Sequence, residues 1–298
     1  MSLNTPFWIL AWVMAVGLAD GAEVRGLPPK DQTRDFQQGS GDLGNAERPT
    51  SAYGVCAHLA RGDEFGQLEE ELDRMKEAGI GWVRADFTWG TCEPKDGQFR
   101  FDRYDKVVDA ALARGINILP ILCYNSPWAG FAHENLDAWA RFVRKVTERY
   151  GDRLRYWEIW NEQNISFWKP EPDAQQYATL LEVTHRTIKS VSPRLQVMYG
   201  GSAGIPLKYI RQTFEFGAAK HFDVMAIHPY CYPGTVEASG RVEQLAELRG
   251  LLKQFGASER IWITEAGWPT HIDPDLTPSL SLWESLTRTA AARQFPNK

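Results

Sequence analysis

From Ser51 to its C-terminal end the chain alternates short apolar runs with longer amphipathic stretches, and that alternation limits the folds open to it. A strand, a helix and a further strand in succession pair in parallel, because the helix carries the chain back across the sheet. Residues 53–57, 82–86, 117–122, 155–160, 195–199, 222–227 and 261–264 read as strands. The third, Asn117-Ile118-Leu119-Pro120-Ile121-Leu122, is apolar throughout, as expected for a parallel strand buried on both faces. Between the strands, mostly apolar residues recur at helical spacing. The stripes are Leu68, Leu72 and Met75; Tyr104, Val107, Val108 and Ala111; Leu136, Trp139, Ala140, Val143 and Tyr150. Tyr177, Leu180, Leu181, Thr184 and Ile188 follow, then Leu245, Leu248 and Leu252. Another helix starts near Pro206, which suits a first turn, and a last helical segment spans 281–293.

Such units in about 250 residues have the size of an eight-fold βα barrel. The rival is a doubly wound sheet, which gathers its ligand at one switch point, often with a Gly-rich phosphate loop. The chain has no such loop. Polar and aromatic residues follow nearly every strand instead. The expected fold is therefore α/β, a (β/α)8 TIM barrel lacking the eighth strand, in a C-terminally truncated chain. Residues 51–298 form this catalytic domain. Residues 23–50 are polar and without period, and read as a linker or strap. Residues 1–22 read as a signal peptide: the apolar run from Phe7 to Ala19 is too short to span a bilayer, and Gly17-Leu18-Ala19 supplies small residues for cleavage. An N-terminal anchor or a mis-assigned start is the alternative. The expectation is a secreted or periplasmic protein with no integral membrane span in the mature chain.

A net charge of −5 and no basic run argue against a nucleic-acid surface. Four cysteines, Cys56, Cys92, Cys123 and Cys231, fit an exported protein, paired in any of three ways or left as buried thiols. There is no C-x-x-C pattern, and His228 with Cys231 is a lone His-x-x-Cys, more often structural than a zinc half-site. No metal or cofactor is expected.

Two glutamates carry the chemistry. Glu162 ends Trp157-Glu158-Ile159-Trp160-Asn161-Glu162, and Glu265 ends Ile261-Trp262-Ile263-Thr264-Glu265. Each closes an apolar run and precedes polar and aromatic residues. Two carboxyls at the same end of one sheet can face each other across a pocket, as glycoside hydrolysis requires. Regular alternation puts Glu158, Trp160 and Glu162 on the barrel interior. Asn161 can hydrogen-bond a sugar hydroxyl. Arg84, on the second strand, would favour the ionised form of Glu265, a buried pair with Asp86 being the alternative. His228 and Tyr230 end the sixth strand and can orient the nucleophile. Trp89, Trp128, Trp168 and Trp268 follow strands and are candidate sugar platforms or loop packing, and Asn125 is a candidate hydroxyl donor.

At these residues the chain resembles glycoside hydrolase clan A, and within it family 39-like enzymes of the β-xylosidase and exopolysaccharide-endoglycosidase type. Glu158-Ile159-Trp160-Asn161-Glu162 is similar to the clan's acid/base motif, and Thr264-Glu265 with Gly267-Trp268-Pro269 to its nucleophile region. The stretch from Trp82-Val83-Arg84 through Trp89, Glu93-Pro94, Gly97, Phe99, Phe101 and Asp102 resembles the second strand and its loop. The resemblance implies a retaining mechanism on a polysaccharide or oligosaccharide, with Glu265 as nucleophile and Glu162 as acid/base. The absent eighth strand leaves a second class open, a carbohydrate-binding pseudoenzyme. A metal-dependent barrel hydrolase would need His and Asp ligands converging from several strands, and the chain has six His in all.

Overall fold

The computed structural model describes residues 51–60, 67–232 and 234–268. The N-terminal segments, the last helical segment and the question of an eighth strand lie outside them. Within them seven strands form one sheet in sequential order, every neighbouring pair parallel. They are β1 (Gly54–Cys56), β2 (Trp82–Thr88), β3 (Asn117–Cys123), β4 (Tyr156–Asn161), β5 (Gln196–Ala203), β6 (Val224–His228) and β7 (Ile261–Ile263). Each of the first six is followed by a helix: α1 (Leu68–Glu77), α2 (Asp102–Leu112), α3 (Leu136–Tyr150), α4 (Ala174–Val191), α5 (Leu207–Glu215) and α6 (Arg241–Gln254). This is the expected α/β order. None of the described helices is long and apolar enough to cross a membrane.

The sheet curls into a barrel wall because its side chains sort into two layers. Trp82, Leu119, Met198, Val224, Ala226 and Trp262, with Tyr156 packed against them, form an inner cluster drawn from β2 to β7. Val83, Ile118, Trp157, Val197, Met225 and Ile261 turn the other way and pack on the helices. The helix stripes read from spacing meet them there: Leu72, Val107, Val108, Val143, Tyr150, Leu180, Leu181, Ile188, Leu248 and Leu252 are buried. Each such side chain removed from water contributes about 1.5–3 kcal/mol, so the helix layer is what holds the sheet curled. α4 is capped by Asp173, whose carboxylate accepts from the Gln176 N–H at 2.8 Å and satisfies a donor the first turn leaves open.

Two elements differ from the alternation expected of them. β5 runs on through Gly200, Gly201 and Ser202 to Ala203, and its register with β6 shifts between Tyr199 and Ser202. In β4 the pattern reverses at Trp160, whose φ is 73°. A left-handed residue turns the strand over. Trp160 therefore leaves the interior and packs outward against Trp139 and Trp168, with ring centroids at 5.9 and 4.8 Å.

Candidate active site

The C-terminal ends of the strands bring one charged network together. Arg84, from the middle of β2, is wholly buried. Its Nε and Nη2 donate to the two oxygens of Glu158 on β4, at 2.7 and 3.0 Å. Nη2 also reaches Asn161 Oδ1 at 2.9 Å, and Nη1 reaches Glu265 Oε1 at 2.5 Å. The Arg84–Asp86 alternative gives way to this arrangement, while Asp86 lies 3.3 Å from His58 Nδ1. The other oxygen of Glu265 accepts from the Tyr230 hydroxyl at 2.9 Å. Glu265 is thus held at both oxygens, just after pairing in β7 ends.

Glu162 is held by its backbone. Its φ is 47°, and its N–H donates to the Gly201 carbonyl at 2.8 Å. The next two side chains fasten the loop to β5: Gln163 donates to Gly200 O at 3.0 Å, and Asn164 exchanges two hydrogen bonds with Ala203. Left-handed conformations at Trp160 and Glu162 cost of order 1–3 kcal/mol each, and these contacts keep them in place. One Glu162 oxygen lies 3.1 Å from His228 Nδ1. Burial, reinforced by the negative charge of Glu265 and opposed by Arg84, pushes the Glu162 carboxyl up to about 7. Burial and the nearby guanidinium of Arg84 hold the His228 imidazole neutral, well below its ordinary value.

Glu162, Glu265 and His228 each bring a donor atom within 4.8 Å of the others. One oxygen of each carboxyl lies within 4.8 Å of the other, closer than the ~6.5–9.5 Å by which inverting pairs make room for a water. As a cation site the trio is poor. Both Glu265 oxygens are already engaged, one by a buried guanidinium that would repel a metal ion.

Residues 132–290, more than half of the chain, match the family described as glycosyl hydrolases family 39. The chain belongs to that family. Residues 61–127 match a second family, described as beta-galactosidase. Among curated relatives, the beta-xylosidase of Geobacillus stearothermophilus is 30% identical over 157 residues, 45% of this chain and 31% of that protein. A beta-glucosidase of Agrobacterium sp. is 32% identical over 120 residues, 36% of this chain and 26% of that protein. The solved family 39 glycoside hydrolase of Bacteroides cellulosilyticus WH2 superposes with a TM-score of 0.61 at 23% identity, covering 78% of this chain and 52% of that one. A family 39 beta-xylosidase of Caulobacter crescentus gives 0.54 at 23%, with 74% and 54% covered. These two structures share the fold of this family 39 chain. The chain spans between a quarter and a third of the length of these curated relatives and about half that of the solved structures.

The structure brings Glu162, Glu265, Arg84, Asn161, His228 and Tyr230 of this family 39 chain to one place. It does not bring the expected aromatic platforms with them. Trp89 and Trp168 are buried in the helix layer and cannot present a face to a sugar. Trp128 is half-buried, donates its indole N–H to Glu93 O at 2.7 Å, and has the Arg141 guanidinium over its ring. Asn125 uses its side-chain oxygen on the Ala132 N–H at 2.8 Å, closing its own loop. Trp268 alone of the four indoles stays at the rim, exposed, with its N–H on Gly234 O at 3.1 Å. The four cysteines are thiols, and Cys56, 3.4 Å from Arg84 and 3.9 Å from Glu265, belongs to the site.

Sequence reading passed over three further residues. Glu158 anchors Arg84 and accepts from the Gly201 N–H at 2.8 Å. Thr264 lies between His228 and Glu158, at 3.0 and 3.3 Å. Gly201 leaves room for His228: a Cβ there would stand 2.0 Å from Nε2. The signals were a second carboxylate in the acid/base motif and a Gly-Gly pair inside a strand.

Proposed function

We propose that this chain is a retaining glycosidase that hydrolyses O-glycosidic bonds by double displacement. The observation that carries the reading is two carboxyls within 4.8 Å of each other, too close for an inverting pair and differently held, Glu265 by Arg84 and Tyr230 and Glu162 beside His228. Arg84 and Tyr230 stabilise a negative Glu265, which attacks the anomeric carbon. Glu162 sits near neutrality and beside that charge, so it holds a proton for the departing oxygen. Once the glycosyl bond to Glu265 forms, the charge beside Glu162 disappears and its proton affinity changes in step with its second role, as base toward water. The similarity to a beta-xylosidase and a beta-glucosidase supports a β-linked sugar, with xylosides the first to assay. An extracellular or periplasmic polysaccharide or oligosaccharide as substrate rests on the apolar run from Phe7 to Ala19.

The test is covalent trapping. Incubation with 2-deoxy-2-fluoro-β-xylosyl and -glucosyl fluorides and peptide mass mapping should label Glu265 in the native chain, and Glu265→Gln should take no label. Equal labelling of both forms would sink Glu265 as the nucleophile. A carbohydrate-binding relic predicts glycan affinity with no label, although such a relic has no need to keep the two carboxyls so differently held.

A further inference from the structure

The contacts around His228 form a hydrogen-bonded chain from Glu158 through Thr264 to Glu162. His228 lies between two groups that can each settle which ring nitrogen carries hydrogen. Nε2 is 3.0 Å from Thr264 Oγ1, and Nδ1 is 3.1 Å from Glu162 Oε1. A neutral imidazole has one N–H, and a hydroxyl has one proton to give. Thr264 Oγ1 also lies 3.3 Å from Glu158 Oε1, and Glu158 is a buried carboxylate bound on both oxygens by Arg84. A carboxylate accepts only, so that contact takes the threonine proton; the reverse assignment would set two oxygen lone pairs against each other away from water.

We infer that Thr264 and Glu158 are positioning residues that fix the His228 tautomer and so load the acid. Thr264 donates to Glu158, accepts from His228 Nε2–H, and leaves Nδ1 as a bare lone pair facing Glu162. A lone pair there accepts the proton of a neutral Glu162 carboxyl and repels an ionised one. The other tautomer would do the opposite, donating Nδ1–H to a Glu162 carboxylate, lowering its proton affinity and leaving it ionised when the departing oxygen needs its proton. The inference rests on the reading of Glu162 as the acid/base group. The charged groups facing Glu162 are accounted for by element: Arg84 from β2, His228 from β6, and Glu265 after β7, whose Oε2 is 3.6 Å from His228 Nδ1 and is satisfied by Tyr230. Gly201 on β5 keeps the ring in register, since any side chain there would push His228 off this line.

This hydrogen-bonded chain can be read without turnover. Long-range proton–nitrogen correlation on the full chain with labelled histidine, the His228 signals identified by their loss in His228→Gln, should find Nε2 protonated and Nδ1 bare. Carbon NMR of labelled glutamate side chains should find that Thr264→Val moves the protonation midpoint of Glu162 down by about one pH unit or more, a tenfold change in its acidity. Thr264→Ser, which keeps the hydroxyl, should restore it. Nδ1 protonated in the native chain overturns the inference, as does an unmoved Glu162 midpoint in the folded valine variant. If the valine variant does not fold, the native tautomer and the serine variant still decide. Failure of the trapping experiment with the native tautomer found as stated would remove the glycosidase reading and leave the hydrogen-bonded chain intact.

Discussion

At the scale of single residues, the site turns on one carboxyl kept from ionising. Glu162 ionises at about 7 when folded, against an ordinary value of 4.5, because the folded chain removes water from it and sets Glu265 beside it. Below the ordinary value the group is protonated in folded and unfolded chains alike and costs nothing. As pH rises the unfolded chain loses the proton first, so stability falls, and the full cost is present once the folded carboxyl has ionised. Glutamine imitates the protonated form at every pH. Glu162→Gln should therefore match the native chain at pH 4 and exceed its stability at pH 8 by about 1–2 kcal/mol, the full shift being discounted for the partly solvated rim. Urea unfolding at the two pH values measures this, and a glutamine variant weaker at pH 8 would show that His228 needs the ionised carboxylate.

Among the elements, β5 does more for the site than its sequence advertises. A Gly-Gly pair inside a strand reads as a weak point, and spacing alone ends the strand at Tyr199. The chain instead continues because Glu162, Gln163 and Asn164 supply hydrogen bonds to its far end, contacts between segments remote in sequence that no local pattern records. Gly201→Ala places a carbon 2.0 Å from His228 Nε2, against a buried ring on a strand with no freedom to retreat. A loss of about 1–3 kcal/mol in urea unfolding is expected, as for other overpacked cores. Gly250→Ala is the control: it sits in α6 with nothing within 4 Å of the added carbon, and should gain about 0.5–1 kcal/mol. The same contrast explains what was legible. The helix stripes and the strand order follow from period and could be read directly. The fate of Trp160 could not, because one left-handed residue in β4 reverses the alternation, and period-two reasoning assumes that none occurs. Trp89 and Trp168 misled for a related reason: composition says that indoles are present, but only packing says whether a face is free.

Across the whole molecule, the buried charge that organises the chemistry also ties the curled sheet together. Arg84 stands on β2 and reaches Cys56 on β1, Glu158 and Asn161 on β4, and Glu265 after β7, so one guanidinium spans from the first strand to the last described. The carboxylates at the ends of β4 and β7 were legible because their chemistry demands them in a pocket. Glu158 was harder to read as a partner because its function is to satisfy Arg84, and that need exists only once the sheet has curled. Arg84→Met should cost about 3–5 kcal/mol, because it leaves Glu158 buried without its counter-charge. Adding Glu158→Met should recover most of that loss, since two apolar side chains of similar volume carry no desolvation penalty. If the double variant is as unstable as Arg84→Met alone, the loss belongs to the contacts with Cys56, Asn161 and Glu265, and the arginine holds the barrel through the site itself and not through its buried partner on β4.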